Sequence, residues 1–563
     1  MPLRLGEILV EKQLITGEQL EQAIREHQKT KEFLGQTFIR LGLISEEKLL
    51  KVLAEQQGMA FLNLKEIWID EEVIKKVPAK FAWHYKIMPI VLNGNVLTVA
   101  TSNPFDMWSV DDLETNLGYR VETALALSCD IIGAIQKYYG VGADTIERIL
   151  AEAPPGGAAE QAVAKEKIED LEKASDDTSV VRLVNQILQQ AIQDRATDIH
   201  FEHFRGDLLL RYRIDGILYD AQVSENMRYL YPAIISRIKV MASLDIVERR
   251  IPQDGRAKVN VGDKEYELRV SVLPTLYGEN VVIRILPMLM LFSMADLGME
   301  DKDLQVLQRV LQKPHGIIFV TGPTGSGKTT TLYTCLSQLN TRERKIITIE
   351  DPVEYELRGV SQIQVNPKIN LTFAGALRSI LRHDPDVIMV GEVRDFETAS
   401  ITIQTALTGH LVFSTLHTND SAGGVTRLID MGIDPFLITS SVEMFIAQRL
   451  VRRICPECKK ESKFDASEIT TLPQGMDIPR AVFRGKGCPA CNHTGYRGRT
   501  GIYELLVVTE PVRRMVLRKD PSDLIEAKAI ELGMKPMHED GWEKVFAGIT
   551  TPEEVQRVTQ AAE

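Results

Sequence analysis

The sequence predicts a multidomain α/β protein whose C-terminal part is a largely parallel sheet, and three observations lead there. From Leu297 onward, short apolar runs at 345–349, 387–390 and 411–415 alternate with stretches of helical spacing, the pattern of strands covered on both faces. Another apolar run, 317–320, leads straight into Gly322-Pro323-Thr324-Gly325-Ser326-Gly327-Lys328-Thr329 and then into helical spacing from Thr329 to Leu339. The 563 residues are too many for one core and correspond to about three or four domains.

The N-terminal part carries a duplication. Arg4-Leu5-Gly6 and Phe33-Leu34-Gly35 open two stretches that align at an offset of 29, so that Leu14-Ile15-Thr16 matches Leu43-Ile44-Ser45, Leu20 matches Leu49 and Gln28 matches Gln57. Thr16 and Ser45 have the chemistry of helix N-caps, and an amphipathic helix is expected after each. Residues 59–142 change character: Val96-Leu97-Thr98-Val99-Ala100 alternates and polar turns separate short elements, which predicts a small α/β part completing an N-terminal regulatory or adaptor domain, 1–142. Residues 143–178 are rich in Ala, Glu, Lys and Asp, contain Pro154-Pro155-Gly156-Gly157, and read as a flexible linker. A helix at 180–192 and strand-like runs at 208–214 and 265–272 predict a second α/β domain over 179–290, and the parallel sheet occupies 291–563.

Composition narrows the partners. A formal net charge of −12 argues against nucleic acid, which is held by a basic face, and no aromatic-basic stacking stretch is present. No apolar run of about 18 or more residues occurs and the N-terminus lacks a secretory core, so a cytoplasmic protein is expected. Of six cysteines, four form Cys455-Pro456-Glu457-Cys458 and Cys488-Pro489-Ala490-Cys491, separated by 29 residues. Four thiolates at that spacing suit a tetrahedral, structural Zn²⁺ that pins an insertion at 452–500. Cys129 and Cys335 are expected as ordinary buried thiols.

The glycine-rich segment is a complete G-x-x-x-x-G-K-[ST] phosphate loop in its proper strand–helix setting, so the chain is expected to bind a nucleoside triphosphate, ATP. Backbone N–H groups from Gly322 to Thr330 would cradle the phosphates, Lys328 would reach the β and γ oxygens, and the Thr329 hydroxyl would ligate Mg²⁺. Three further clusters follow later strands. Glu350-Asp351-Pro352-Val353-Glu354 offers carboxylates for orienting or deprotonating a water. Asp386 to Glu392 is an apolar strand ending in an acid, the layout that holds Mg²⁺ through water. Gly409 to Thr418 places His417 just beyond a strand, where a γ-phosphate sensor belongs.

In this combination the chain resembles the secretion and pilus ATPase superfamily of GspE, PilB and PilT type, whose phosphate loop, acidic box, Walker B segment and His box match in order. The resemblance implies a RecA-like core preceded by a PAS-like domain, with Glu350 as general base, Glu392 organising Mg²⁺ and water, and His417 on the γ-phosphate. It further implies a homo-hexameric ring in which the preceding domain lends arginines to a neighbour's nucleotide; Arg213, Arg228 and Arg269 are the candidates. The Cys₄ insertion and long N-terminal region resemble the GspE and PilB branches. The repeat resembles the MshEN domain, which binds cyclic di-GMP, and would use Arg4, Leu5, Gly6, Leu34 and Gly35. Here Gln13 replaces a motif Gly and Phe33 a motif Arg, and a helical adaptor that docks on an inner-membrane partner is the alternative. Expected partners are a platform protein of PilC type and a cytosolic pilus adaptor, with the ring peripheral to the inner membrane. Pilus extension is the expected function, type II secretion the nearest alternative, and a nucleic-acid translocase or a nucleotide-gated scaffold the remaining ones.

Overall fold

The computed structural model describes residues 5–30, 34–65, 67–105, 107–140, 145, 169–170, 179–205, 207–224, 226–287, 293–463 and 481–559, and the chain forms two compact units, Met1–Ile285 and Leu286–Glu563.

The first unit opens with helices Leu5–Glu11, Gly17–Thr30, Leu34–Arg40 and Glu46–Gln57, and the duplication is three-dimensional. Leu9 and Ile15 are buried in one copy, and Phe38 and Ile44 in the other, at the same offset of 29. A Cβ on Gly6 would lie 2.5 Å from Leu20, and one on Gly35 would lie 3.2 Å from the matching Leu49, so the two glycines let equivalent helices pack closely. Both N-caps form: Thr16 and Gln19 exchange backbone-to-side-chain hydrogen bonds at 2.8 and 3.3 Å, and Ser45 accepts from Lys48 N–H. Next comes a three-stranded sheet in which Val96–Thr101 lies between antiparallel Met88–Asn93 and parallel Arg120–Leu125, backed by helices including Ser128–Tyr139. Cys129, expected to be buried, is exposed, because it falls on the solvent side of that last helix's first turn.

Of residues 143–178 only three are described: Thr145 is buried and its hydroxyl donates to Gln186, while Glu169–Asp170 pairs in parallel with Val259 and Asn260. Helices Ser179–Gln193 and Met227–Met241 then pack on a sheet in the order Glu169–Asp170, Gln253–Val261, Lys264–Thr275, Gly278–Pro287, Ala196–Phe204, Asp207–Ile214, Ile217–Asp220.

The second unit is built on a sheet in the order Val360–Gln364, Ile346–Glu350, Val387–Val390, Leu411–Leu416, Gly316–Thr321, Val442–Ile454, Tyr496–Val507. The first six strands are parallel and the last is antiparallel. Period-two alternation divides its side chains between two cores: Ile317, Phe319, Ile347 and Ile349 face one, Ile318, Val320, Ile346 and Met389 the other. Covering both faces explains why these strands read as unbroken apolar runs. Among the described residues no helix is long and apolar enough to cross a membrane.

Candidate active site and metal centre

The phosphate loop leaves the fully buried strand Gly316–Thr321 at Gly322 (φ +147°) and enters helix Lys328–Leu339 after Gly327 (φ +89°). Space as well as backbone angle requires these glycines: a Cβ on Gly322 would lie 2.7 Å from the Gln448 carbonyl, and one on Gly327 2.8 Å from Gln448 Nε2. Ser326 Oγ is buried with no hydrogen-bond partner among the described residues, a hydroxyl suited to a phosphate oxygen. Lys328 Nζ donates to the carbonyls of Gly322 and Pro323 at 2.8 and 3.0 Å. Burial, reinforced by the nearby Arg449 charge and opposed by Glu392, holds the Lys328 ammonium down at about 8. Thr329, one residue on, is partly exposed at the start of the helix. The donor set fits a triphosphate with its cation: free amides and a positive helix end for the phosphates, and hydroxyl and carboxylate oxygens for Mg²⁺.

Glu392 and His417 come together at the ends of adjacent strands, His417 Nε2 lying 3.3 Å from Glu392 Oε2. Arg394 Nε donates to the same oxygen at 2.6 Å. Two residues that sequence reasoning missed border the loop. Gln448 accepts from Thr331 Oγ1 at 2.8 Å, and Arg449, only 7 % exposed, donates to the Gln448 carbonyl and to Asn419, two residues past His417. A Gln-Arg pair following the apolar run Met444-Phe445-Ile446-Ala447 was the available signal.

Glu350 ends the strand next to that of Glu392, beside Gly391, whose N–H donates to the Ile349 carbonyl at 2.8 Å. Its strand lies three positions from the phosphate-loop strand, which at about 4.8 Å per step makes a lateral offset of about 14 Å. Its side chain is 3 % exposed and accepts hydrogen bonds from Tyr333 Oη, from Thr348 Oγ1 at 2.6 Å and from Gln362 Nε2 at 3.1 Å. Burial raises its pKa above the ordinary carboxylate value, against the pull of those three donors. Tyr333 belongs to the phosphate-loop helix, so this network ties the acid to that helix.

In the first unit, Arg213 and Arg269 lie near one buried carboxylate, Asp198. Arg213 Nε is 3.8 Å from it, and Arg269 lines a cleft of about 390 Å³ that Asp198, Arg256 and Arg284 also border. Arg284 Nε donates to Asp198 at 2.9 Å, a further arginine that the sequence did not single out because its strand is far away in the chain. Arg228 stands elsewhere, on an exposed helix start, with its guanidinium over the Tyr229 ring. Leu5, Gly6, Leu34 and Gly35 start the paired helices of the duplication, whose packing accounts for both glycines; Arg4 lies outside the described residues.

The four knuckle cysteines converge. Sγ–Sγ separations are 3.8 Å for Cys455–Cys488, 3.9 Å for Cys458–Cys491 and 3.7 Å for Cys488–Cys491. A Zn–S bond of about 2.3 Å sets tetrahedral edges of about 3.8 Å, so the cluster matches a zinc tetrahedron and not a disulfide. Desolvation raises the thiols of Cys458 and Cys488 above the usual value; at Cys491 the N–H groups of Cys488 and Gly495, at 3.2 and 3.3 Å, together with the neighbouring thiols of Cys488 and Cys458, outweigh it and hold the pKa below that value. The hairpin Lys459–Lys463 with Ala481–Gly485 carries the set, and Val482 packs it on Trp542.

Comparison with known proteins agrees with this geometry. Residues 173–557 match the type II/IV secretion system protein family, and residues 57–145 match the MshEN domain, the α/β part and not the helical repeat before it. The chain is 44 % identical over 98 % of both chains to the type IV pilus assembly ATPase PilB of Myxococcus xanthus. It is 43 % identical to type II secretion system protein E of Xanthomonas campestris, over 93 % of this chain and 92 % of that one. The ATPase DotB of Legionella pneumophila shares the fold at a TM-score of 0.52 and 22 % identity, covering 70 % of this chain and 100 % of its own. With a phosphate loop and a Glu392–His417 pair at the ends of strands of one sheet, a Cys₄ cluster in the same unit, and that similarity along its length, the chain belongs to the type II/IV secretion system protein family of ATP-hydrolysing motors.

Proposed function

We propose that six copies of this chain form a ring that hydrolyses ATP to ADP and phosphate beneath an inner-membrane platform protein and so drives assembly of a type IV pilus. The observation that carries this reading is the similarity to the Myxococcus pilus assembly ATPase, which runs through the N-terminal region as well as the motor. In the reaction, Lys328 and the loop amides hold the triphosphate, and Glu350 takes the proton of the attacking water. Thr329 and Glu392 would hold Mg²⁺, which neutralises charge on the phosphates. His417 contacts the γ-phosphate, and its closeness to Glu392 supports a joint response to hydrolysis. Arg213, Arg228 and Arg269 are offered to a neighbouring subunit's nucleotide, the cleft beside Asp198 supporting Arg269 and Arg213 over Arg228. Zn²⁺ on the four cysteines is structural. The N-terminal domain is an adaptor whose MshEN match supports a cyclic di-GMP response, open to test by equilibrium dialysis.

Phosphate release by the six-subunit species tests the motor reading. Turnover that needs the ring and collapses in Glu350→Ala, while ATP binding survives, is the expected result; equal turnover in both proteins would move the base elsewhere. The Xanthomonas relative supports a second reading, type II secretion, with the same chemistry. Loss of surface pili on gene deletion favours the first, loss of protein export the second.

A further inference from the structure

Tyr333 lies on the phosphate-loop helix, five residues beyond Lys328, and its side chain is buried against the sheet. A tyrosine there could be plain core, but its hydroxyl is fully engaged. It donates to Glu350 Oε2 and accepts from the Glu354 N–H at 3.3 Å, with Gln362 Nε2 a further 3.3 Å contact. Gln362 comes from the sheet-edge strand and is itself fixed at both ends: its amide nitrogen donates to Glu350 Oε1 and to the Tyr355 carbonyl, and its oxygen accepts from Leu357 N–H at 2.7 Å. Three elements therefore meet at one carboxylate: the helix that starts at the phosphate loop, the edge strand and the acidic loop that follows Glu350.

A carboxylate has about four acceptor sites. Glu350 Oε1 uses two of its own, for Thr348 and Gln362, and Oε2 uses one, for Tyr333. One site on Oε2 remains, and Tyr333 decides which way it points. Lateral distance in the sheet gives the arrangement its purpose: two strands lie between that of Glu350 and the phosphate-loop strand, and Tyr333 ties the carboxylate directly to the helix that starts at the loop.

We infer that Tyr333, seconded by Gln362, is a positioning residue that aims the remaining lone pair of Glu350 at the attacking water and locks that aim to the phosphate-loop helix. This rests on the reading of Glu350 as general base. Glu354, whose N–H meets the same hydroxyl, is the charged neighbour that acts on Glu350 through space.

The test is steady-state phosphate release by the full-length ring across pH, comparing wild type with Tyr333→Phe, Gln362→Leu and Glu350→Gln. Tyr333→Phe keeps the ring in the core and removes one hydrogen-bond donor to the carboxylate, so Glu350 protonates more readily. The expected result is a kcat lower by about tenfold with KM within about twofold, and an acid limb of kcat/KM displaced upward by about half a pH unit. Gln362→Leu should move both quantities in the same direction, which a merely loosened core would not do to the acid limb. Wild-type kcat and an unmoved limb in Tyr333→Phe, with Glu350→Gln inactive, would overturn the positioning role and leave the base in place. Full turnover in Glu350→Gln would overturn both.

Discussion

Lys328 donates from Nζ to the carbonyl of Gly322 at 2.8 Å, so the last part of the phosphate loop is tied back to its first residue by the side chain that belongs on the phosphates. The bond gives the ammonium a neutral acceptor in a site where burial and Arg449 hold its pKa at about 8, below the ordinary lysine value of 10.5. A phosphate oxygen is a better acceptor, and it is charged.

Nucleotide binding should therefore take up a proton. With a lysine lowered to about 8 in the protein and raised again by the phosphates, uptake begins as pH rises through about 8, and affinity falls over the same range. Between pH 8 and 9 the Kd for ATP is expected to rise several-fold, at most about tenfold. Titration calorimetry in two buffers of different ionisation heat measures the proton directly, and Lys328→Ala should abolish both the uptake and the slope.

How much of this was legible in the sequence depends on burial. Strands covered on both faces are apolar runs, so four adjacent strands of the sheet were readable to within a residue or two at their ends, whereas Val442–Ile454, beside the phosphate-loop strand and broken by charges, was not. Glu350 was read as lying past its strand, since a charge looks like the end of a buried run; instead it pairs with Gln364 within the sheet, its carboxylate satisfied by three donors. Gln448 and Arg449 escaped for the same reason, and Tyr333 because an aromatic at a helical core position has no pattern of its own. The arginines could not be ranked, because Arg284 and Arg213 reach Asp198 from strands separated by most of a domain, a proximity set by strand order alone.

The repeat gives a stability prediction. Gln13 stands at φ +56°, where the second copy has Gly42 at +67°, and both follow a helix with the same turn hydrogen bonds. A left-handed residue with a Cβ costs about 1–2 kcal/mol, partly offset by glycine's larger unfolded-state entropy. Gln13→Gly is expected to stabilise the first unit by about 0.5–1 kcal/mol, read from its denaturant midpoint.

The Cys₄ cluster predicts one zinc per chain, released by Cys491→Ser. Removing it leaves three thiols and loosens the hairpin that covers Trp542, so the second unit should melt several degrees lower while the first is unchanged. Metal analysis together with calorimetry checks both statements, and added Zn²⁺ should restore the chelated wild type.

Glu526 supplies a pH dependence of the opposite kind. Half-buried beside the buried Glu504, with Asp420 and Asp523 adding like charge, it is pushed up to about 7, first by desolvation. The native state then holds a proton that the unfolded chain has released above about 4.5, so stability falls as pH rises from about 4.5 to 7. Discounted for its exposure, the effect is about 1 kcal/mol. Glu526→Gln should raise the apparent Tm of the second unit by about 2–4 °C at pH 8 and barely change it at pH 5.

Arginines lent between subunits make a prediction that only a mixed ring can meet. Arg269→Ala keeps the phosphate loop and loses the arginine, and Lys328→Ala does the reverse, so each alone should be nearly inactive. Subunits exchanged at equal ratio place an intact loop opposite an intact arginine at about one interface in four. Turnover should therefore reappear on mixing, to about a quarter of wild type if the interfaces fire independently. A mixture as inactive as its parents would mean that Arg269 serves its own subunit, and the same exchange with Arg213→Ala and Arg228→Ala would rank the remaining candidates.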